Sequence, residues 1–487
     1  MPLGLFSRQR QHSSQPCLDR FDLEQSLLNF SPNDSFRIRD ACEGICIFGA
    51  TGSGKTSGSG AALTKAYLAH GFGGLILTAK NDERALWQNY ARETGRVNDL
   101  IIFSPEQLYR FNFLEYELTR PGRGAGQTEN LLNIFSSLLE IQERKSRAQG
   151  DHYWTRATRQ LIRNAIDIVA IGTGSVSLPD LYQAVISAPA SSQQTVDKKW
   201  QEQSFCFHCI VSGDKHEKTI LQSNDFDVAA RYWLSEYPAL AEKTRSIIVS
   251  LFTSMSDSFL RGMLRELFCT TLTITPEQTL DGSIILCDLP VKEYGELGQY
   301  AQIIFKYLWQ QAIERRIVSK NPRPVFLWCD EAQNFVSSYD REFQSTARSS
   351  RACTVYLSQN LPNYFATLGG ENQGKVETEA LLGNLQTKIF HSNSDKTTNE
   401  WASDLISRSY QYRHNFGASG NDRRSAQQAG VSESLDYDLL PREFSRLKTG
   451  GPDNDRVVEG IVYQSGRVWQ VNRKTYLKCK FLQGNER

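Results

Sequence analysis

Short, mostly apolar runs recur along the chain, and stretches of helical composition separate most of them. Apolar runs of about four to eight residues are typical of strands that are buried on both faces of a sheet. Since helices alternate with these strands, the pattern predicts an α/β fold with a mostly parallel, doubly wound sheet. The predicted strands are 45–48, 74–78, 99–103, 283–287, 325–329, 354–358 and 385–390.

The middle of the chain has a different pattern, rich in helical periodicity and poor in strand runs. A stretch rich in glycine, proline and arginine over 119–126 precedes it and is typical of a linker. A helix predicted over about 152–169 places one set of side chains on a common face, namely Trp154, Ala157, Leu161, Ala165 and Ile168. The pattern therefore predicts four segments: an N-terminal arm with short strands over 1–40, a first part of the core over 41–126, an all-α insertion over 127–275 and a second part of the core over 276–487.

Composition adds constraints on partners and location. A chain of 487 residues exceeds what one hydrophobic core usually serves, so two or three structural units are expected. The net charge of +1 means that any DNA contact must come from a local basic patch. No apolar run approaches the roughly 20 residues needed to span a bilayer, so we expect no integral membrane segment. Most cysteines stand alone inside apolar runs, which suits a reducing cytoplasm.

The most informative motif directly follows the strand predicted at 45–48. Gly49–Thr56 matches the phosphate-binding pattern G-x-x-x-x-G-K-[ST] at every fixed position, and a helix-forming stretch follows it. The glycines let successive backbone N–H groups point at one anion, and the helix N-terminus adds a partial positive charge. Lys55 is predicted to reach the β- and γ-phosphates, and the Thr56 hydroxyl to ligate Mg²⁺. The chain is therefore predicted to bind ATP and Mg²⁺, with the nucleotide held by Gly49, Ala50, Thr51, Gly52, Ser53, Gly54, Lys55, Thr56 and Ser57.

A pair of carboxylates follows the strand predicted at 325–329. Carboxylates at the end of a parallel strand lie at the crevice where ligands bind. Asp330 is predicted to hold the hydrated Mg²⁺, and Glu331 to orient and deprotonate the attacking water. The alternative interpretation, an acidic turn after a core strand, has less support because the phosphate-binding loop is already present.

Two further residues are candidates for catalysis. Gln359 ends the strand predicted at 354–358, where a neutral amide beside the γ-phosphate can report hydrolysis to the rest of the domain. Arg348 and Arg351 precede that strand, and a guanidinium placed at a neighbouring subunit's site would stabilise charge on the transferring phosphoryl group. Both predictions compete with the simpler interpretation of polar surface residues.

The cysteine pair Cys206 and Cys209, with His216 downstream, resembles half of a zinc site. A closed zinc site needs four ligands, and no second pair lies at a fitting distance along the chain. A partly buried apolar stretch is therefore the preferred interpretation, and metal binding stays open.

The order of these features resembles that of the HerA/FtsK superfamily of ring ATPases. More narrowly, it is similar to the type IV coupling proteins of conjugation and secretion systems. The stretches that carry the resemblance are 153–161, 328–335 and 382–390, followed by the pattern Asp395, Thr398 and Trp401.

The resemblance implies a RecA-like P-loop core, a homo-oligomeric ring that is a hexamer, and ATP-driven movement of single- or double-stranded DNA. It also implies partners such as a relaxase or other secretion and DNA-processing proteins. By this resemblance Arg348 is a better candidate than Arg351 for the arginine that acts on a neighbouring subunit.

The chain departs from the family in two places. Coupling proteins usually carry N-terminal membrane helices, and none is predicted here, so we expect a cytoplasmic protein that is peripheral at the inner membrane through its partners. After the second strand the family tends to show Asp-x-Lys-Gly-Glu, whereas this chain has Thr78-Ala79-Lys80-Asn81-Asp82-Glu83.

Evidence for DNA binding that is independent of the resemblance is limited. Arg156, Arg159 and Arg163 form a basic stripe on the helix predicted over 152–169. Cations and aromatic residues alternate over 408–414, as they do in proteins that bind single strands. Solvated surfaces would show the same charge patterns.

Four alternative functions differ in the support that the sequence gives them. A two-lobed helicase would share the Asp-Glu-Ala-Gln box, but about 275 residues separate Lys55 from Asp330, and no second RecA-like unit is evident. A nucleotide-gated adaptor that recruits a protein partner, and a HerA-like DNA-processing ATPase, both remain open. A fused nuclease lacks a convincing cluster of carboxylate or histidine residues outside the ATP site.

Overall fold

The structure, a computed structural model, describes residues 20–135, 152–421 and 424–484, without the side chains of 152–155 and 413–431. Nine of the described strands form one sheet, in the order β13-β12-β9-β3-β8-β7-β4-β6-β5. The strands are β1 Ser26–Ser31, β2 Asp34–Arg37, β3 Ile45–Phe48, β4 Gly73–Leu77, β5 Leu100–Phe103, β6 Ile284–Cys287, β7 Val325–Cys329, β8 Ala352–Ser358, β9 Thr387–Phe390, β10 Arg408–Asn421, β11 Arg424–Tyr437, β12 Val457–Gln464 and β13 Tyr476–Leu482.

Helices occupy most of the remaining described chain. They are α1 Ile38–Ala41, α2 Ala61–Ala69, α3 Glu83–Glu93, α4 Phe113–Thr119, α5 at 128–135, α6 His152–Thr173, α7 Leu178–Ile186, α8 Lys198–Gln203, α9 Phe205–Lys215, α10 Ile220–Arg231, α11 Tyr237–Ala239, α12 Glu242–Asp257, α13 Gly262–Phe268, α14 Val291–Arg315, α15 Ser338–Thr346, α16 Leu361–Thr367, α17 Gln373–Gly383, α18 Lys396–Ile406 and α19 Pro441–Phe444. Short 3₁₀ or π turns lie at Thr56–Gly60, Val97–Asp99, Gln194–Val196, Tyr232–Glu236, Pro276–Asp281, Ala332–Asn334 and Pro452–Asn454.

The seven strands from β9 to β5 are all parallel, which confirms the predicted α/β class and doubly wound sheet. Six of them are buried on both faces and the edge strand β5 is half-buried, which explains why their sequences are apolar without alternation. Two antiparallel strands, β12 and β13, extend the sheet beyond β9. The apolar pattern did not predict these two strands, because Glu459 and Gly460 interrupt the apolar residues of β12 and β13 alternates buried and exposed residues as an edge strand does.

Two hydrophobic cores lie on opposite faces of the sheet. Successive residues of one strand divide between them: Leu75 and Leu77 pack into one core and Ile76 into the other. The core around Ile76 includes side chains of α2, α3 and the β1–β2 hairpin. The core around Leu75 is larger and includes side chains of α14 and of the helices between β5 and β6.

The regular elements described between β5 and β6 are helices joined by loops, in agreement with the predicted inserted α-helical domain. Its long helix α6 buries Leu161, Ala165 and Ile168, which were predicted to share one face. The segment limits at 1–40, 41–126, 127–275 and 276–487 stay a prediction. Residues 1–19 of the predicted arm lie outside the described residues, while β1 and β2 form an antiparallel hairpin.

A second antiparallel hairpin was not predicted from the sequence. Strands β10 and β11 pair in continuous register from Arg408↔Tyr437 to Asn421↔Arg424, and they form a sheet of their own. The polar, glycine-containing composition of this stretch hides it from a search for apolar runs.

Among the described residues, no single helix combines the length and the apolar character needed to cross a bilayer. Two sharply bent pairs reach that length and composition only together, Arg156–Thr173 with Leu178–Ile186 and Glu242–Asp257 with Gly262–Phe268.

Candidate functional site

The loop Gly49–Thr56 joins β3 to the helical turn Thr56–Gly60, as predicted. Gly52 and Gly54 have φ values of 75° and 82°, which only glycine adopts readily. A Cβ atom on Gly49 would lie 2.4 Å from Ser53 Oγ. The loop therefore requires glycine at Gly52 and Gly54 for the backbone conformation and at Gly49 for the space next to Ser53.

The order of strands explains how distant carboxylates reach this loop. Strand β8 lies between β3 and β7, and all three are parallel, so their carboxyl ends share one edge of the sheet. Thr56 Oγ1 donates a hydrogen bond to Asp330 Oδ2 at 3.4 Å. Lys55 Nζ lies 4.0 Å from Glu331 Oε1. Residues about 275 positions apart in the sequence thus form one cluster.

Glu331 is held in a left-handed backbone conformation, with φ 49° and ψ 50°. Gln333 Nε2 donates to Glu331 Oε2 at 2.9 Å, and Gln359 Nε2 donates to Glu331 Oε1 at 3.2 Å. Burial raises the pKa of Glu331, but the two amides and nearby ammonium groups outweigh it, so the pKa lies below its usual value. Glu331 is therefore ionised at neutral pH and can accept a proton.

The sequence did not single out Lys80, which the structure places in the same cluster. Lys80 Nζ lies 3.0 Å from Asp330 Oδ2 and 3.5 Å from Glu331 Oε1. Burial lowers the pKa of Lys80, but the adjacent Asp330 and Glu331 raise it to about 12. Two signals were available: Lys80 coincides with the lysine of the family stretch Asp-x-Lys-Gly-Glu, and it follows β4, the strand that neighbours β7.

Glu83 anchors the backbone that carries Lys80. Its Oε1 accepts hydrogen bonds from the N–H groups of Ala79 at 3.0 Å and Lys80 at 2.9 Å. Burial, and then the charge of Asp330, raise the pKa of Glu83 to about 8.

The antiparallel strands that the pattern missed support the phosphate-binding loop from the other side. A Cβ atom on Gly54 would lie 2.5 Å from Val458 Cγ2, so this strand requires a glycine there. Gln483 Nε2 donates to Ser57 Oγ at 2.7 Å. His391 lies between Ser59 Oγ and the Glu459 carbonyl, and burial lowers its pKa to about 4.

The cluster borders a cavity of about 600 Å³. Its walls include most of the predicted nucleotide-binding residues together with two of the catalytic candidates, namely Ala50, Thr51, Gly52, Ser53, Gly54, Lys55, Thr56, Ser57, Glu331 and Gln359. Lys80, Asp82, Leu86, Tyr90, Lys292, Gln333 and Asn334 complete the lining. Ser53 Oγ is buried and has no hydrogen-bond partner among the described residues. A polar ligand in this cavity would satisfy it.

Arg348 is not part of the lining of this cavity. It precedes β8, whereas Gln359 follows β8, so the two residues are at opposite edges of the sheet. The side chain of Arg348 is 69% exposed, and its Nη1 lies 3.3 Å from Glu43 Oε1. The guanidinium of Arg351, the alternative candidate, donates hydrogen bonds to the carbonyls of Phe21 and Pro322.

The remaining candidates form no further site. Cys206 and Cys209 are buried on α9, where burial raises the pKa of Cys209 to about 12. Within residues 20–135, 152–421 and 424–484, no group of three or more histidine, cysteine or acidic residues is placed to bind a metal ion. Arg159 and Arg163 both form ion pairs with Glu129, which reduces the charge of the predicted basic stripe.

Comparison with known families identifies one segment. Residues 324–447, from β7 through α19, match the family described as the TraM recognition site of TraD and TraG. This segment carries Asp330, Glu331, Arg348 and Gln359. No curated protein sequence matches the chain significantly.

Solved structures of the plasmid coupling protein TrwB match almost the whole chain. TrwB in complex with the non-hydrolysable GTP analogue GDPNP has a TM-score of 0.60 at 14% identity, over 95% of this chain and 91% of that chain. TrwB in complex with ADP and Mg²⁺ has a TM-score of 0.54 at 14% identity, over 95% and 90%. The trigonal form of TrwBdeltaN70 in complex with sulphate has a TM-score of 0.61 at 13% identity, over 95% and 91%.

At these identities the likeness to TrwB establishes the fold. It confirms the predicted RecA-like P-loop core with an inserted α-helical domain. In its fold and in the segment 324–447, the chain resembles the type IV coupling proteins, as its sequence motifs predicted.

Proposed function

We propose that the protein is an ATP-hydrolysing ring motor that binds and translocates DNA in the manner of a type IV coupling protein. The observation that carries the proposal is the cluster of Lys55, Thr56, Asp330 and Glu331, of which Lys55, Thr56 and Glu331 line one cavity. A phosphate cradle facing an ionised carboxylate is the arrangement that hydrolysis of a triphosphate requires.

The residues present fit ATP and Mg²⁺. Loop N–H groups and the unsatisfied Ser53 hydroxyl supply donors for phosphate oxygens, and Lys55 supplies positive charge. Thr56 and Asp330 would hold Mg²⁺, which supplies neutralisation of phosphate charge when it is bound. Glu331 would orient the attacking water and accept its proton, with Gln333 and Gln359 holding the carboxylate in place.

Arg348 enters the proposal as a residue that acts on a neighbouring subunit. Strand β8 separates it from the Gln359 end of its own site, and the side chain extends into solvent. A guanidinium presented on the surface can complete the site of an adjacent copy in a ring. The proposed assembly is therefore a homo-oligomer, a hexamer by resemblance.

The DNA part of the proposal is supported by the β10–β11 hairpin. Tyr410 and Tyr412 alternate along β10, so they share one face, and they are 66% and 68% exposed. Exposed aromatic rings can stack on the bases of a single strand. The match of 324–447 to a TraM recognition site supports a DNA-processing protein as a further partner.

A nucleotide-gated adaptor is the second candidate, and one observation favours it. Ile220, Leu221 and Val228 on α10 are 82%, 75% and 58% exposed. Exposed apolar groups in the insertion suit the recruitment of a protein partner.

The test measures ATP binding and hydrolysis with and without DNA. We expect DNA to stimulate hydrolysis several-fold, and Lys55→Ala to abolish ATP binding because it removes the cation of the cradle. Lys65→Ala is the matched control, since Lys65 lies on α2 paired with Glu93 and is absent from the cavity lining.

Failure of the wild-type protein to bind ATP would contradict the whole proposal. Assembly driven by nucleotide without DNA-stimulated turnover would favour the adaptor.

A further inference from the structure

Lys80 forms ion pairs with both carboxylates of the proposed nucleotide site. Its ammonium contacts Asp330 Oδ2 at 3.0 Å and Glu331 Oε1 at 3.5 Å. Its side chain is 28% exposed, whereas those of Asp330 and Glu331 are 4% and 9% exposed. The lysine therefore reaches two largely buried carboxylates from the side of the cavity.

Both oxygens of Asp330 have hydrogen-bond partners, and Oδ2 has two of them. Oδ1 accepts the N–H of Glu331 at 2.9 Å, and Oδ2 accepts Thr56 Oγ1 as well as Lys80 Nζ. One carboxylate oxygen has two lone pairs, so Oδ2 has no place for another partner. A hydrated Mg²⁺ held by Thr56 and Asp330 would compete with Lys80 for Oδ2, the oxygen that Thr56 also contacts.

Electrostatics leads to the same conclusion. An ammonium and a divalent cation on one carboxylate oxygen would lie within a few ångströms of each other, and like charges repel strongly at that distance in a partly buried site. Glu331 Oε1 is similarly occupied, by Lys55, Lys80 and Gln359. Departure of one side chain, Lys80, would free an oxygen for the metal and an oxygen for water.

The surrounding structure lets the side chain leave while the backbone stays. Glu83 holds the N–H groups of Ala79 and Lys80, and Gln302 Oε1 accepts the N–H of Thr78 at 2.6 Å. The four-carbon stem of Lys80 can therefore swing into the cavity from a fixed attachment point.

We propose that Lys80 is a positioning residue that competes with Mg²⁺ for Asp330 and withdraws from both carboxylates when Mg²⁺ and the triphosphate bind. This inference rests on the proposed ATP site and names a device within it. Binding of the metal and release of Glu331 from its ion pair with Lys80 then occur together.

The experiment compares dissociation constants of a fluorescent, non-hydrolysable ATP analogue in EDTA and in excess Mg²⁺. The measured quantity is the dissociation constant in EDTA divided by that in Mg²⁺. In Lys80→Gln we expect this ratio to rise about tenfold above that of the wild type, because Lys80 no longer competes with Mg²⁺. Lys80→Arg keeps the charge and is expected to retain the wild-type ratio. Lys292→Gln is the matched control, because Lys292 lines the same cavity but forms no ion pair among the described residues.

A second readout uses Mg²⁺ alone, without nucleotide. Since a ligand of the folded state raises the melting temperature, Mg²⁺ is expected to raise it more in Lys80→Gln than in the wild type. An unchanged or lower ratio in Lys80→Gln, with no gain in stabilisation by Mg²⁺, would overturn the competition. Absence of nucleotide binding in the wild type would instead overturn the proposed function, and the inference with it.

Discussion

Two lysine–aspartate ion pairs lie near strand β7, and they differ in burial and in their access to the cavity. Lys306 and Asp340 are 0% exposed and form a contact inside the core. Lys80 and Asp330 lie at the cavity, with Lys80 28% exposed. One pair is closed to solvent and the other is open to a ligand.

The closed pair is satisfied on every side. Asp340 also accepts hydrogen bonds from Gln310 Nε2 and from the Tyr356 hydroxyl, both at 2.8 Å. Lys306 also donates to the Phe335 carbonyl at 2.6 Å. Removing either charge would leave its partner buried and unpaired, so an intact pair is needed for the stability of the folded state. The open pair can exchange its partner for a ligand.

The first prediction, with the largest expected effect, breaks the closed pair. Lys306→Met is expected to lower the free energy of unfolding by about 3–5 kcal/mol, because Asp340 keeps its charge in the core. Lys80→Gln is expected to lower it by less, because Lys80 is 28% exposed and Lys55 still lies 4.0 Å from Glu331. Denaturant unfolding of the two variants measures the difference, and equal losses would contradict the distinction between the pairs.

Acid titration sharpens the same comparison. Burial raises the pKa of Asp340, but Lys306 and the hydrogen-bond donors outweigh it, so the pKa lies below its usual value. A lowered carboxyl pKa contributes stability above the unfolded-state value of about 3.9, and that stability is lost as the pH falls through the folded-state pKa. Lys306→Met is therefore expected to move acid unfolding to higher pH.

The second prediction removes a charge from the open cluster. Glu331→Gln is expected to slow ATP hydrolysis by about 10³-fold, because an amide cannot accept a proton from water. Nucleotide affinity should stay within about threefold, since the contacts of the loop are untouched. Steady-state hydrolysis and equilibrium binding separate the two effects. Glu93→Gln, an exposed change on α3, is the control.

The third prediction concerns the opposite edge of the sheet. Arg348→Ala is expected to slow hydrolysis by about 10²-fold through the neighbouring site. Stability should change by less than about 0.5 kcal/mol, because the side chain is 69% exposed. Mixing Arg348→Ala with Lys55→Ala subunits should restore part of the activity, since some interfaces then combine an intact Lys55 with an intact Arg348. If Arg348→Ala alone keeps full hydrolysis activity and mixing gives no recovery, Arg348 does not act on the neighbouring site.

Much of the architecture was accessible from the sequence. The parallel strands are buried on both faces, so their apolar runs are unbroken, and the phosphate-binding loop is a local motif whose spacing is set by backbone geometry. The strands β10 to β13 were not accessible, because β10 and β11 are polar, β13 alternates, and Glu459 and Gly460 interrupt the apolar residues of β12. The roles of Glu331, Gln359 and Arg348 stay predictions, although the first two lie at the cavity.

What the sequence determined by itself was local: a glycine loop after one strand and two carboxylates after another. The tertiary structure decided which distant residues meet, because parallel strands bring their carboxyl ends together only once the strand order is set. Lys80 joins Asp330 only because β4 lies beside β7. The left-handed conformation of Glu331 was likewise decided by its surroundings, since a non-glycine residue adopts it only when neighbouring contacts hold it.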